Sequence, residues 1–122
     1  PRLRVTHVAS DKVGELYHLA DILVHAATHE SFGLALVEAA STGLPVLAHD
    51  SAHFAWLLDN PASLVDMRAP GALASRLRDV LADPVALAAL RCAEHVRAEF
   101  SWEALRPRYL ALYRRMAATA PA

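Results

Sequence analysis

The chain has 122 residues and a formal net charge of −1, and 55% of its residues are hydrophobic. This length suits one small domain, this hydrophobic content argues against disorder, and the near-neutral charge gives no sign of a nucleic-acid or membrane surface. The single cysteine, Cys92, excludes an internal disulfide and fits a reducing compartment. No apolar run approaches the ~20 residues of a membrane span. We therefore expect a cytoplasmic globular domain that binds no nucleic acid and has no transmembrane segment.

The start of the chain predicts a strand followed by a helix. Residues 3–8 alternate apolar and polar side chains, which is typical of a short strand. Ser10 or Asp11 is then expected to cap a helix that runs to about Leu19. Its apolar face is expected to hold Val13, Leu16, Tyr17 and Ala20. We interpret Tyr17 as a core aromatic residue with its hydroxyl at the rim.

The next segment predicts a unit of strand, polar loop, helix and strand. Residues 22–25 read as a buried strand, and residues 34–42 are rich in the good helix formers Leu, Ala and Glu. Gly43 and Pro45 supply the helix stop, and residues 46–48 form the second strand. The helix face expected against the sheet holds Leu34, Val37 and either Ala40 or Ser41. In such units ligands bind where the loop leaves the first strand and the helix begins.

Two acids mark that junction. Glu30 lies in the loop before the helix, and Glu38 lies inside the helix, off its packed face. The unpaired N–H groups and the dipole of the helix start favour an anion. From there to Glu38 is about 7 Å at about 1.5 Å per residue, close to the span of a diphosphate between two sugar rings. One acid could bind a hexose and the other a ribose, although each alone also fits a helix cap or a solvated charge.

The remaining chain predicts a further strand and then helices. A turn at residues 49–51 leads into a helix over residues 52–58 and a short strand over residues 63–66. Repeated strand–helix units predict an α/β fold with a Rossmann-like parallel sheet and flanking helices. Beyond Pro70 we expect C-terminal helices, which span residues 71–82, residues 84–99 and a last segment capped by Ser101. The apolar face of the last helix holds Tyr109, Leu112 and Tyr113.

The segment around the two acids resembles a known family. Residues 30–39 read Glu-Ser-Phe-Gly-Leu-Ala-Leu-Val-Glu-Ala, and residues 43–46 read Gly-Leu-Pro-Val. Together they resemble the nucleotide-sugar signature of retaining glycosyltransferases of family 4, which have the GT-B fold. Residues 17–21, Tyr-His-Leu-Ala-Asp, and residues 100–102, Phe-Ser-Trp, match further features of that family. The similarity covers roughly residues 8–113, which corresponds to the second half of such an enzyme.

The resemblance implies a function for the whole chain. Residues 1–122 would form a single domain, the C-terminal donor-binding part of a retaining, metal-independent glycosyltransferase without a cofactor. The donor would be a UDP- or GDP-sugar, and the partner would be the N-terminal acceptor domain of the full-length enzyme. A chain that begins directly in a predicted strand fits such a fragment, which we expect to be inactive alone. The full-length enzyme would be cytoplasmic or peripheral at the membrane.

The resemblance also implies roles for individual residues. The first acid would bind hydroxyls of the transferred sugar near the reacting carbon, the loop backbone would hold the leaving phosphate, and the second acid would bind the ribose hydroxyls. The implied donor-binding residues are Glu30, Ser31, Phe32, Gly33, Leu34 and Glu38, with Glu30 as the catalytic residue.

The chain departs from the family pattern at three places. The Arg and Lys that neutralise the diphosphate in family members have no counterpart here. Residues 49–56, His-Asp-Ser-Ala-His-Phe-Ala-Trp, replace the usual Gly-Gly turn and Pro-Glu pair. Ser31 replaces the glycine that usually follows the first acid.

The histidines at the strand ends and the two acids also admit other interpretations. The histidines at the strand ends could suggest zinc, but their spacing does not place pairs on one helical face. We therefore expect no metal site and expect some of these rings to line the pocket mouth. These histidines are His25, His29, His49 and His53. A hydrolase carboxylate pair fits less well than a phosphate between the acids. The alternative function is a non-catalytic Rossmann-like module that binds a nucleotide or a partner, which would have no need for Glu38. A GT-B epimerase or phosphorylase would share the architecture, but Lys12 is badly placed for the pyridoxal group of a phosphorylase.

Overall fold

A parallel three-stranded sheet forms the middle of the fold, which the computed structural model describes for Leu3 and residues 5–119. The strands are β1 (Leu23–His25), β2 (Val46–His49) and β3 (Leu64–Val65), in that order across the sheet. Both pairings are parallel, and all four residues of the central strand are buried. The predicted α/β class and parallel sheet are therefore confirmed.

Seven α-helices occur in the described part of the chain. They are α1 (Val13–Leu19), α2 (Leu34–Ser41), α3 (Ala52–Leu58), α4 (Ala72–Ala82), α5 (Pro84–Ala88), α6 (Ala93–Phe100) and α7 (Trp102–Thr119). Helix α2 connects β1 to β2, and α3 connects β2 to β3, as the sequence predicts. None of the described helices is both long and apolar enough to cross a membrane.

Alternate side chains of β2 enter two separate hydrophobic clusters. Val46 and Ala48 pack with residues of α2, α3 and α6, whereas Leu47 packs with Val80 of α4 and with Leu90. Because successive side chains of a strand point to opposite faces, helices cover both faces of the sheet. The flanking helices that the sequence predicts are therefore present on both faces.

The predicted first strand is wrong for the residues that the structure describes. Leu3 and residues 5–8 form no strand, and the side chains of Leu3 and Val5 are 91% and 88% exposed. Alternating polarity favours a strand only where a neighbouring strand pairs with the backbone and one face is covered. This segment has neither in the described sheet.

The start of the first helix also differs from the prediction. Ser10 and Asp11 belong to a 3₁₀ turn (Ser10–Lys12) that leads into α1, and no side chain caps this turn. Of the predicted apolar face, Val13 and Tyr17 are half-buried, whereas Leu16 and Ala20 are exposed. Only a narrow stripe of α1 therefore packs against the rest of the fold.

The packed face of α2 is rotated relative to the prediction. Leu36, Ala39 and Ala40 are fully buried, whereas Leu34 is 65% exposed and Val37 is half-buried. Helix α2 packs against both the sheet and α6, so the buried face is the one between these two layers. Of the predicted contact residues, Ala40 is confirmed as buried.

The predicted helix over residues 84–99 is two helices, α5 and α6, separated by a turn. In this turn Leu90 is fully buried, and its carbonyl accepts hydrogen bonds from the Val46 amide at 3.3 Å and the Ser63 hydroxyl at 3.2 Å. The Leu90 carbonyl thus bonds to β2 and to Ser63 instead of to an amide one helical turn further along the chain, which interrupts the helix. The predicted cap of α7 is confirmed, because the Ser101 hydroxyl accepts a hydrogen bond from the Ala104 amide at 3.2 Å.

Candidate functional site

The loop between β1 and α2 ends at Gly33, which directly precedes the first turn of α2. Gly33 has φ of +96°, in the left-handed region that favours glycine. A Cβ atom there would lie 3.3 Å from Leu57 Cδ2 and 3.6 Å from Glu30 Cγ. Gly33 therefore brings the N-terminus of α2 close to α3 and beside the Glu30 side chain.

The carboxylate of Glu30 is held by its own loop. Its Oε1 accepts hydrogen bonds from the Ser31 amide at 2.8 Å and the Ser31 hydroxyl at 3.2 Å, and its Oε2 lies 3.6 Å from His25 Nε2. The Ser31 amide lowers the pKa of Glu30 most, against a smaller rise from partial burial, and the Ser31 hydroxyl and His25 lower it further. Glu30 is therefore an ionised hydrogen-bond acceptor near neutral pH.

The first turn of α2 presents unused backbone donors. The Gly33 carbonyl accepts the Leu36 and Val37 amides at 3.0 and 3.1 Å, which begins the helical hydrogen bonding. The amides of Leu34 and Ala35 donate to no acceptor among residues 5–119. These amides and the helix dipole favour an anion at this terminus.

Phe32 fixes the loop to the neighbouring elements. Its ring packs edge-to-face against Trp56 and Phe100, with ring centroids 6.4 and 5.7 Å apart. Its carbonyl lies 3.0 Å from His53 Nε2. A carbonyl can only accept, so Nε2 of His53 carries the proton in this contact.

Glu38 lies on the exposed side of α2 and contacts α1. Its Oε2 accepts a hydrogen bond from the Tyr17 hydroxyl at 3.2 Å. Burial, and then the hydrogen bond and the charge of Glu38, raise the pKa of Tyr17, so the phenol stays protonated. The sequence placed the Tyr17 hydroxyl at the rim of the core but did not reveal this partner.

A cleft of about 400 Å³ opens at the carboxyl ends of the strands, beside Glu30. It is lined by Thr28, His29, Glu30, His49, Asp50, Ser51, His53, Phe54 and Arg68. The structure thus brings three of the predicted pocket histidines to one cleft with Glu30. His25 is not among the lining residues, and its ring packs edge-to-face against Phe54 at 5.4 Å.

Glu38 borders a different groove, so the two acids do not line one cleft. This groove has a volume of about 300 Å³ and lies between α2 and α6. Its lining residues are Val37, Glu38, Ser41, Val96, Arg97, Phe100 and Ser101.

Arg68 also lines the cleft, but no motif in the sequence predicts it. It follows β3 and lies 3.4 Å from Asp66, through its Nε and the Asp66 Oδ1. The Arg68 amide is the main cause of a lowered pKa of Asp66. Its position just after a strand is the one feature of the sequence that indicates this location, because the carboxyl ends of parallel strands meet at one edge of the sheet.

The described residues contain no group of three or more His, Cys, Asp or Glu side chains placed to hold a metal ion. The predicted zinc alternative therefore gains no support from residues 5–119. What the arrangement offers is an ionised carboxylate and imidazole groups around one cleft, together with open backbone amides at the start of α2. Such groups bind hydroxyls and anions.

Comparisons with known proteins give a consistent family. Residues 3–98 match the sequence profile of the family described as Glycosyl transferases group 1. The chain is 39% identical over 95 residues to the D-inositol 3-phosphate glycosyltransferase of Mycolicibacterium vanbaalenii, covering 75% of this chain and 21% of that protein. It is 34% identical over 106 residues to that of Segniliparus rotundus, covering 84% of this chain and 24% of that protein. The chain thus spans about a quarter or less of the length of these relatives, and no solved structure matches it.

Proposed function

Because the chain belongs to the Glycosyl transferases group 1 family, we propose that it is the C-terminal, donor-binding part of a glycosyltransferase. Residues 1–122 would be one domain, and a preceding domain of a longer protein would bind the acceptor. The greater length of the curated relatives supports this division. Membership of the family agrees with the resemblance found in the sequence.

The observation that carries the proposal is the position of ionised Glu30 beside the open N-terminus of α2. Glu30 would accept hydrogen bonds from hydroxyls of the transferred sugar near its reacting carbon. Its Oε1 is already occupied by Ser31, so Oε2 is the atom that would contact the sugar. The cleft of about 400 Å³ next to Glu30 is large enough for a hexose unit.

The amides of the first turn of α2 would hold the leaving diphosphate. During transfer the bond between the sugar and the diphosphate breaks, and the diphosphate departs with the electron pair. A preorganised helix N-terminus stabilises that developing charge without reorganisation. The backbone of Phe32, Gly33 and Leu34 would supply this contact, and no metal ion would be needed.

Glu38 would bind the ribose of a UDP- or GDP-sugar. Its carboxylate is exposed, and the Tyr17 hydrogen bond occupies Oε2 and leaves Oε1 without a partner among the described residues. A carboxylate oxygen suits a pair of ribose hydroxyls as an acceptor. In this arrangement the reaction would retain the configuration at the transferred carbon, as in family 4 enzymes that the sequence resembles.

The test is ligand-detected NMR of this chain with UDP, GDP and their hexose conjugates. Glu38→Gln should weaken binding of every ligand that carries the preferred base, whereas Glu30→Gln should weaken only the sugar conjugates. Glu103→Gln, an exposed acid at the start of α7, is the matched control and should change nothing. Binding that survives both acid variants would contradict the proposal, and so would absence of binding by the folded chain.

A further inference from the structure

His25 carries a buried nitrogen without a hydrogen-bond partner. It is the last residue of β1, in register with Ala48 of β2, and only 18% of its side-chain surface is exposed. Among the described residues nothing accepts from or donates to its Nε2. Buried polar atoms are nearly always paired, so an unpaired one calls for a specific explanation.

Among the described residues, Glu30 carries the one carboxylate within 4.0 Å of this nitrogen. The edge-to-face contact with Phe54, at 5.4 Å and 79°, sets the plane of the imidazole. In this plane Nε2 lies 3.6 Å from Glu30 Oε2, slightly beyond hydrogen-bond distance. The other carboxylate oxygen, Oε1, already accepts two hydrogen bonds from Ser31. A displacement of about 0.7 Å would close the gap between Nε2 and Oε2.

We propose that His25 is a positioning residue, which donates its Nε2–H to Oε2 of Glu30 and fixes the carboxylate for the sugar hydroxyls. The inference rests on the proposed role of Glu30 in donor binding. Hydrogen bonds at active sites are often long without ligand and shorten in the complex. One lone pair of Oε2 would face His25, and the other would remain for the sugar. A carboxylate held at both oxygens loses little freedom when the sugar binds.

The test must separate His25 from the other titratable or charged groups near Glu30. These groups share the cleft and are His29, His49, Asp50, His53 and Arg68. His29 is the matched control, because it precedes Glu30 in the chain and its Nδ1 contacts the Thr28 hydroxyl at 3.2 Å rather than the Glu30 carboxylate.

The experiment is a pH titration of the Glu30 carboxyl carbon by NMR, in the ligand-free chain. His25→Leu keeps an apolar group against Phe54 but removes the donor, so the titration midpoint of Glu30 should shift upward. His25→Gln keeps a donor near the position of Nε2 and should restore most of the wild-type midpoint. His29→Gln should leave the midpoint unchanged.

Three results would overturn the proposal. An unchanged midpoint in folded His25→Leu excludes the contact, and a shift that Gln does not reduce indicates a through-space charge effect only. If the Leu variant does not fold, nitrogen NMR of the wild-type imidazole decides the matter. A proton on Nδ1 instead of Nε2 at neutral pH would contradict the assigned donor.

A second measurement separates this inference from the donor-binding proposal. In His25→Leu the affinity for the nucleotide sugar should fall about tenfold, the size of one hydrogen bond to a charged group, while the affinity for the plain nucleoside diphosphate stays constant. An equal loss for both ligands would indicate a structural role for His25. If neither ligand binds the wild-type chain, the donor-binding proposal fails, and the carboxyl titration still decides the role of His25.

Discussion

The hydroxyl of Tyr17 donates a 3.2 Å hydrogen bond to Glu38 Oε2 and so joins α1 to α2 across 21 residues of sequence. The ring of Tyr17 packs against the larger hydrophobic cluster, while its hydroxyl reaches the surface. Core packing thereby fixes the direction of an exposed carboxylate. Glu38 is thus held by a helix that precedes the whole strand–loop–helix unit in the chain.

Tyr17→Phe should alter the alkaline stability of the chain. Because the folded-state pKa of Tyr17 is raised, its contribution is complete below the unfolded-state pKa of about 10 and is lost as the pH rises through the folded-state value. Wild-type chain should therefore lose stability above about pH 10 more steeply than Tyr17→Phe. Thermal melts at a series of pH values measure this, with Tyr113→Phe as the exposed control, and identical slopes would refute the linkage.

Glu30→Gln should change stability in the opposite pH range. The folded-state pKa of Glu30 is lowered, so its contribution is present above the unfolded-state pKa of about 4.3 and is lost as the pH falls through the folded-state value. The melting temperatures of wild type and Glu30→Gln should differ near neutral pH and converge in acid. A difference that persists at the lowest pH would show that Gln perturbs the loop by other means.

Gly33→Ala should destabilise the chain by about 1–3 kcal/mol, because Ala resists the left-handed backbone and its Cβ would lie 3.3 Å from Leu57 Cδ2. Gly14→Ala in α1 is the matched control. A Cβ at Gly14 meets nothing within 4 Å, and Ala favours helix, so this variant should be neutral or slightly stabilised. Urea unfolding measures both changes, and equal effects of the two variants would contradict the account of the helix start.

Leu90→Ala should cost about 2–5 kcal/mol, as expected for a fully buried leucine that leaves a cavity. The variant tests how much the side chain of Leu90, at the turn between α5 and α6, stabilises the fold through the second cluster. Leu81→Ala, at a side chain that is 55% exposed, should cost far less. If both variants unfold at the same urea concentration, the assignment of Leu90 as a core residue is contradicted.

The sequence predicts the elements best where an apolar run is bounded by glycine or proline. The bounds of α3 and the start of α2 match the prediction, because local signals define both. The predictions for residues 3–8 and 84–99 are wrong. In both segments the apolar periodicity continues where tertiary contacts do not support the predicted strand or the single predicted helix. Whether residues 3–8 pair as a strand, and where the chain turns at the buried Leu90, both depend on residues that are distant in the sequence.

The sequence predicts only part of the candidate site, for the same reason. Local sequence places Glu30 and Glu38 on either side of the start of α2. It does not reveal that the two acids border different openings, because α6 and the segment after β3 form the walls. Arg68 and the contact between Tyr17 and Glu38 likewise arise from packing of distant segments.

The most direct test of donor binding at the start of α2 is amide chemical-shift mapping of the chain with a nucleotide sugar. We expect the largest shifts at the Leu34 and Ala35 amides, which have no acceptor among the described residues. We also expect shifts at Ser31, because its amide bonds to Glu30. Shifts that cluster instead around the turn at Leu90, or that leave the first turn of α2 unchanged at saturation, would contradict the account.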